Sequence, residues 1–285
     1  MSETVAKTHF DMSLLMPGIR TDLWERVYDG LQSSTTKLST EVVFVGPYDL
    51  PESLRDKPDV QFIKDWGHAN RCAQISLMYA RGDRVLLASD DGYLLPNMID
   101  HLYDTLDELG ERQSNHIAVG KYIEGEGTDM EEDWYYYLNN HDFTSPGIQD
   151  DWLLGCYLLL DRKYFLEEFG GFNMLFEGSA MACHELAIRI QKLGDAKLAL
   201  SKKQIAKCDH MPGTSGDHGP MHYAQILHDQ PLYRHMIPLL GEEHKKVDCH
   251  AWKDCEAVWN RRFQENLKAT YEFVDSNWIC HYEQP

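Results

Sequence analysis

At 285 residues, 43% of them hydrophobic, the chain is long enough for one large α/β domain, alone or with an appendage, and apolar enough to exclude global disorder. Its 46 acidic residues outnumber 27 basic ones, a formal net charge of −19, which argues against broad nucleic-acid binding and adhesion to anionic membranes, since both rest on basic patches. The first twenty residues carry no charged-then-apolar signal pattern, no apolar run nears the roughly 18 residues of a membrane helix, and the seven scattered cysteines read as reduced thiols, so a cytoplasmic protein is expected.

The apolar stretch 13–16 predicts a first strand, stopped by Pro17-Gly18. Leu23, Trp24, Val27, Tyr28 and Leu31 recur at helical spacing, so 21–31 reads as a helix with Thr21 as its N-cap. Residues 41–45 form a second strand ended by Gly46-Pro47, and 60–63 a short third one. A helix over 71–80 stops at Arg81-Gly82-Asp83, a fourth strand covers 85–88, and a further helix runs over 98–109. The second half is more mixed: strands at 116–122 and 153–160, an acidic glycine-containing loop at 124–133, a short helix at 162–169, a helix at 183–193, and short strands at 196–201 and 204–207. Residues 209–220 (DHMPGTSGDHGP) form a turn-rich loop, and 221–285 reads as helical and aromatic without strand alternation.

The order of these elements predicts a mostly parallel central sheet with helices on both faces. Such sheets bind ligands beyond the carboxyl ends of their strands. Pro17-Gly18, Gly46-Pro47, Asp65 and Asp90-Asp91 all fall there. Adjacent carboxylates at a strand end suit a hard divalent cation that also holds substrate phosphates. The competing reading is that Asp90 and Asp91 only cap the following helix or form an Asx turn.

Four stretches in order, "SLLMPGIR", "EVVFVGP", "DWGHANRCAQISLMYARGDRVLLASDDGYLLP" and "GGFNMLFEGSAMACHELAIRIQKLG", resemble those of GT-A glycosyltransferases, particularly family 2-like enzymes. The likeness spans roughly residues 12–225. It implies a GT-A domain over 1–225, with a nucleotide-binding half at about 12–110, an acceptor half at about 111–225, and a helical C-terminal extension over 226–285. It also implies a metal-dependent, inverting transfer of a sugar from a nucleoside diphosphate sugar, UDP-sugar by default and GDP-sugar as the other option, to a glycan or related hydroxyl acceptor. The ion would be Mn²⁺ or Mg²⁺.

Within the resemblance, Asp91 matches the metal-binding carboxylate and Ser89 stands where the first Asp of the motif would be. Asp90 would hold ribose hydroxyls or share the metal. His210, or alternatively His218, would supply a later ligand. Pro17, Gly18 and Arg20 line the nucleotide loop, Asp65 would touch base or ribose or only cap a turn, and Arg71 would pair with a phosphate or with Asp90 or lie free on the surface. Gly46 occupies the place of a base-contacting Asp. The Glu-Asp pair that commonly supplies the catalytic base falls at Ala182-Cys183, so Glu185 with His184 beside it is the replacement base, against the alternative of solvated charges favoured by a helix N-terminus. Trp134, Tyr135, Tyr136, Tyr137 and Trp152 would flank the acceptor or pack in the core, and residues 124–133 would act as a lid. In the tail, Cys249, His250, Cys255, Cys280 and His281 match no zinc spacing. Two rival readings are a nucleotidyltransferase acting on a sugar phosphate and a non-catalytic sugar- or nucleotide-binding protein of the same fold.

Overall fold

The computed structural model describes residues 9–124, 157–208, 228–253, 268–274 and 277–283. Ten strands are described: β1 Phe10–Pro17, β2 Thr40–Gly46, β3 Val60–Lys64, β4 Gly82–Leu87, β5 Gly92–Leu94, β6 His116–Glu124, β7 Leu158–Asp161, β8 Lys197–Cys208, β9 Lys268–Val274 and β10 Asn277–Glu283. The helices are α1 Trp24–Ser33, α2 Ala69–Tyr79, α3 Met98–Asp107, α4 Arg162–Tyr164, α5 Ser179–Ile188 and α6 Gln230–Met236.

One eight-stranded sheet has the order β3-β2-β1-β4-β7-β6-β8-β5. β1, β2, β3 and β4 are mutually parallel, β7 runs against both β4 and β6, β6 and β8 are parallel, and β5 is antiparallel to β8. The chain moves outward from β1 through β2 to β3, then returns through α2 to β4 on the other side of β1. That reversal opens a crevice at the carboxyl ends of β1 and β4.

Both faces of the sheet are covered, so β1 and β2 read as continuous apolar runs. Alternation sorts their side chains. Met12, Leu14, Met16, Val42 and Phe44 pack with Trp24, Val27 and Leu31 of α1 and with Met98, Leu102 and Leu106 of α3. Leu15, Val43, Val45 and Val85 pack with Cys72, Ile75 and Leu77 of α2 and with Leu186 of α5. Each fully buried Leu, Met or Val contributes roughly 1.5–3 kcal/mol. A third cluster, Phe176, Met181, Ile188, Tyr233, Ile237 and Leu240, fastens α6 to α5.

After α6 the chain returns across the α2 face. Val247 N donates to Phe169 O at 3.0 Å, Gln74 Nε2 to Cys249 O at 3.1 Å, and Arg71 Nη1 to Trp252 O. Lys245 pairs with Glu168 at 2.7 Å.

The structure departs from the sequence reading at several elements, and β5 was not expected at all. Thr21 does not cap α1; residues Thr21–Leu23 form a 3₁₀ turn that leads into it, without a side-chain cap. The two short strands expected at 196–207 are one strand, β8, because its pairing with β6 continues through an irregularity between Val119 and Tyr122. The C-terminal region is not wholly helical: β9 and β10 pair as an antiparallel hairpin. Among the described residues, no helix is long and apolar enough to cross a membrane.

Candidate functional site

Asp90 follows β4 and is 2% exposed. Its carboxylate reaches across the crevice to the loop after β1. Oδ2 accepts the backbone N–H groups of Ile19 at 2.8 Å and Arg20 at 2.7 Å, and the indole N–H of Trp24 at 3.3 Å. Oδ1 accepts from Arg20 Nη1 at 2.6 Å. Asp90 is therefore a tether between the β4 and β1 loops. The sequence reading gave Asp90 to ribose hydroxyls or a shared metal; in the structure its carboxylate meets the protein's own donors.

Glycine makes this approach feasible. A Cβ at Gly18 would stand 2.6 Å from Asp90 Oδ2 and 2.8 Å from Trp24 Nε1. A Cβ at Gly46 would collide with the carbonyl oxygen of Gly18. The side chain that the family resemblance expects at position 46 thus has no room here, and the two loops touch backbone to backbone. Pro17 ends β1 and lines the same crevice.

Asp91, one residue on, is in a different setting. Its side chain is 11% exposed, Oδ1 takes the Ser89 hydroxyl, and Oδ2 stands 3.5 Å from Arg20 Nη1. Arg20 therefore sits between two carboxylates at the crevice mouth, with its cation facing the strand ends. The crevice mouth thus holds two carboxylates against one guanidinium, a net negative setting in which an anionic ligand would need a further cation beside it.

Asp65 and Arg71 form a second pair at the end of β3. Arg71 Nε and Nη2 donate to the two Asp65 oxygens at 2.9 and 2.8 Å, a bidentate arrangement, and Gly67 N donates to Asp65 Oδ1 at 2.7 Å. Arg71 does not reach Asp90; it faces Asp65 and the carbonyl of Trp252. The rings of Tyr48 and Trp66, both half-exposed, meet edge to face at 6.2 Å beside this pair.

Glu185 and His184 are not at the crevice. Glu185 is fully buried, with Oε1 2.7 Å from Arg189 Nε, and Asn173 Nδ2 donates to it at 3.2 Å. Arg189, also fully buried, carries this pairing on to the carbonyls of Phe169 at 2.8 Å and Gly171 at 2.9 Å. Burial pushes His184 down to about 3, so it is neutral, and its ring meets Tyr233 at 6.2 Å. Both residues lie in the core around α5. Helix α5 is apolar nearly all round, so helical spacing gave no clue to which side was open. Ala182 and Cys183 are buried too, and burial raises the Cys183 thiol to about 12.

The sequence reading overlooked two residues here. Trp24 was read only as a core residue, yet its indole also serves the tether. Asp229, fully buried, accepts the backbone N–H groups of Glu177 at 2.9 Å and of Gly178, immediately before α5, and the Nδ1 of His228 lies 2.8 Å from its Oδ1. No local motif marks it, since its partners lie about fifty residues upstream. His210, His218, Trp134, Tyr135, Tyr136, Tyr137, Trp152 and nearly all of the loop 124–133 lie outside the described residues. Among the described residues, no cluster of three or more His, Cys, Asp or Glu side chains is arranged to hold a metal ion.

No family model and no curated protein sequence matches the chain. Solved structures do. TarS 1–349 of S. aureus in complex with UDP aligns with a TM-score of 0.54 over 82% of this chain and 68% of that one, at 15% identity. The fold is GT-A. The same TarS portion in complex with UDP-GlcNAc gives 0.53 over 82% and 69%, also at 15% identity. S. aureus TarS in a longer form gives 0.52 over 82% of this chain and 41% of that one, at 15% identity. In the GT-A frame, the tether of Asp90 and the rim carboxylate of Asp91 stand at the switch point, where this class of sheet takes its ligand.

Proposed function

We propose that this chain is a glycosyltransferase that moves a sugar from a nucleoside diphosphate sugar to a hydroxyl of a glycan or related acceptor. The observation that carries the reading is the pairing of Asp91 with Arg20 at the β4 mouth, held by Asp90, within a fold shared with TarS structures that contain UDP and UDP-GlcNAc. A UDP-sugar is the favoured donor, with a GDP-sugar as the other option. Among the described residues, Cys72, Cys183 and Cys249 form no disulfide, and the reading keeps the expectation of a cytoplasmic enzyme.

Arg20 would pair with the diphosphate as a fork of N–H donors. Asp90 keeps that fork in place, and Gly18 lets the loop backbone come close to the phosphates. Asp91 is the residue that would hold a Mn²⁺ or Mg²⁺ ion, with His210 or His218 as the later ligand. When bound, such an ion would neutralise charge on the departing diphosphate. Inversion is the stereochemistry this reading adopts, and it needs a base on the face opposite the diphosphate.

One observation favours a second reading. With Ala182 and Cys183 in the core and Glu185 tied to Arg189, the usual place of the base is apolar. That suits a nucleotide-sugar-binding protein without catalysis. The nucleotidyltransferase reading has less behind it, because the loop after β1 has a single glycine between Pro17 and Arg20.

The test is calorimetry of the purified protein with UDP and with GDP, each with and without Mn²⁺, beside Asp91→Ala. Manganese-dependent binding of one diphosphate, lost in a well-folded Asp91→Ala variant, is the expected result. Binding of neither by the folded wild type would refute the proposal. Release of UDP from UDP-GlcNAc separates the transferase from the binding protein.

A further inference from the structure

We propose that His228, oriented by the buried Asp229, is the general base that takes the proton from the attacking hydroxyl. The inference deepens the transferase reading and rests on it.

The position follows from a chain of contacts. The first turn of α2 stands at the carboxyl edge of the sheet, directly after β3 and Asp65. There the Asn70 side chain donates to the carbonyls of Asn173 and, at 3.4 Å, Phe176. The turn 173–178 is thereby seated on the ligand edge. Its last two amides, those of Glu177 and Gly178, donate to the Asp229 carboxylate. Asp229 is fully buried, while the adjoining His228 side chain remains 35% exposed. The pair thus lies at the N-terminus of α5, beside the positions where the family's Glu-Asp pair would stand and where Ala182 and Cys183 are buried instead.

The chemistry follows from the hydrogen bond. Asp229 is an acceptor, so His228 Nδ1 carries its proton toward Oδ1 at 2.8 Å. The lone pair then resides on Nε2. A base held in one tautomer by a buried carboxylate is the arrangement by which histidine serves as a proton acceptor in other enzymes. In the step proposed, the acceptor oxygen uses a lone pair to form a bond to the anomeric carbon. The bond from that carbon to the diphosphate oxygen breaks, and its electron pair leaves with the diphosphate. The hydroxyl proton passes to His228 Nε2, and Asp229 stabilises the imidazolium until solvent removes the proton.

The experiment uses the full chain. UDP release is followed with Mn²⁺ present from UDP-GlcNAc, UDP-glucose and UDP-galactose, and GDP release from GDP-mannose, with water as acceptor, for wild type, His228→Ala and His228→Gln. UDP and GDP affinities are measured by calorimetry on the same samples. The expected result is a fall in kcat of about 10²–10⁴-fold in both variants, an unchanged diphosphate affinity and melting temperature, and partial recovery of His228→Ala by added imidazole but not by an equal concentration of a non-basic azole. Wild-type turnover in His228→Ala would overturn the inference and leave the transferase reading standing. Equal loss of diphosphate binding and turnover would also overturn it, since it would show His228 to be part of the frame. A wild type that binds a diphosphate yet releases none from any donor would overturn it in favour of the binding protein, and one that binds neither diphosphate would overturn both readings.

Discussion

Replacing Asp90 by alanine should loosen the loop after β1 more than any other single truncation in the crevice. The carboxylate accepts four N–H donors: two backbone amides, one indole and one guanidinium. Hydrogen bonds to a charged group contribute about 1.5–3 kcal/mol each. The amides of Ile19 and Arg20 are partly exposed, so water replaces some of what they lose, while the Trp24 indole is fully buried and stays unsatisfied. Taken together, the loss comes to about 3–5 kcal/mol, comparable with breaking a buried ion pair from one side. For a chain of this size that corresponds to a fall in melting temperature of about 10 °C. Asp90→Asn keeps an oxygen acceptor but loses the charge and should lie between. Thermal and urea unfolding give the stability, and calorimetry with UDP on the same samples gives the affinity, which should fall more than tenfold as the loop is released. An Asp90→Ala protein that melts with wild type and binds UDP as tightly would refute the tether. Asp91→Ala provides the contrast, since it should spare stability and remove only metal-dependent binding.

The Glu185–Arg189 pair should behave as a framework element. Glu185→Leu leaves a guanidinium buried without its carboxylate and should cost about 3–5 kcal/mol; adding Arg189→Met should recover part of that but not all, because Arg189 also holds the carbonyls of Phe169 and Gly171. Urea unfolding measures both, and a single-variant loss below about 1 kcal/mol would place the pair among weak surface contacts. His184 should impose an acid limit on stability. Burial holds its pKa at about 3 in the folded chain against the ordinary histidine value of 6.5, so below pH 6.5 the unfolded chain takes up a proton that the folded one refuses. Stability should therefore fall as pH drops from about 6.5 toward 3, by up to about 1.4 kcal/mol per unit from this group, and should be unaffected by it at higher pH. Between pH 7 and 5, wild type should lose about 2 kcal/mol more than His184→Leu; parallel losses in urea titrations at the two pH values would remove His184 as the cause.

Much of the fold was legible because the parallel strands are buried on both faces and so write themselves as short apolar runs, each ended by Gly, Pro or Asp. Residues 41–45 and 60–63 fall within β2 and β3 for this reason. The C-terminal hairpin was legible too and was passed over: Lys268, Thr270 and Glu272 alternate with Ala269, Tyr271 and Phe273, a period of two hidden among aromatics that suggested a helix. The site was legible to the level of strand ends. Asp90 and Asp91 look alike in sequence, and only the approach of the β1 loop separates a tether from a rim carboxylate. Where Glu185 and His184 sit could not be read because α5 is apolar nearly all round, so helical spacing did not separate a pocket-facing base or a solvated pair from the internal brace that the structure shows. Asp229 could not be read from a local pattern, since its backbone partners lie at 177 and 178.

The strap over α2 bears on how the protein is made. Arg71, Gln74 and Arg189 each donate to a carbonyl within residues 245–252, at sequence separations of 181, 175 and 56. Such distant closures come late in folding, after the local sheet and helix contacts. The strands β1 to β8 all precede residue 240, yet these three donors gain their strap acceptors only afterwards. The crevice-side contact of Arg71 with the carbonyl of Trp252 is therefore completed only when the strap has folded back across α2.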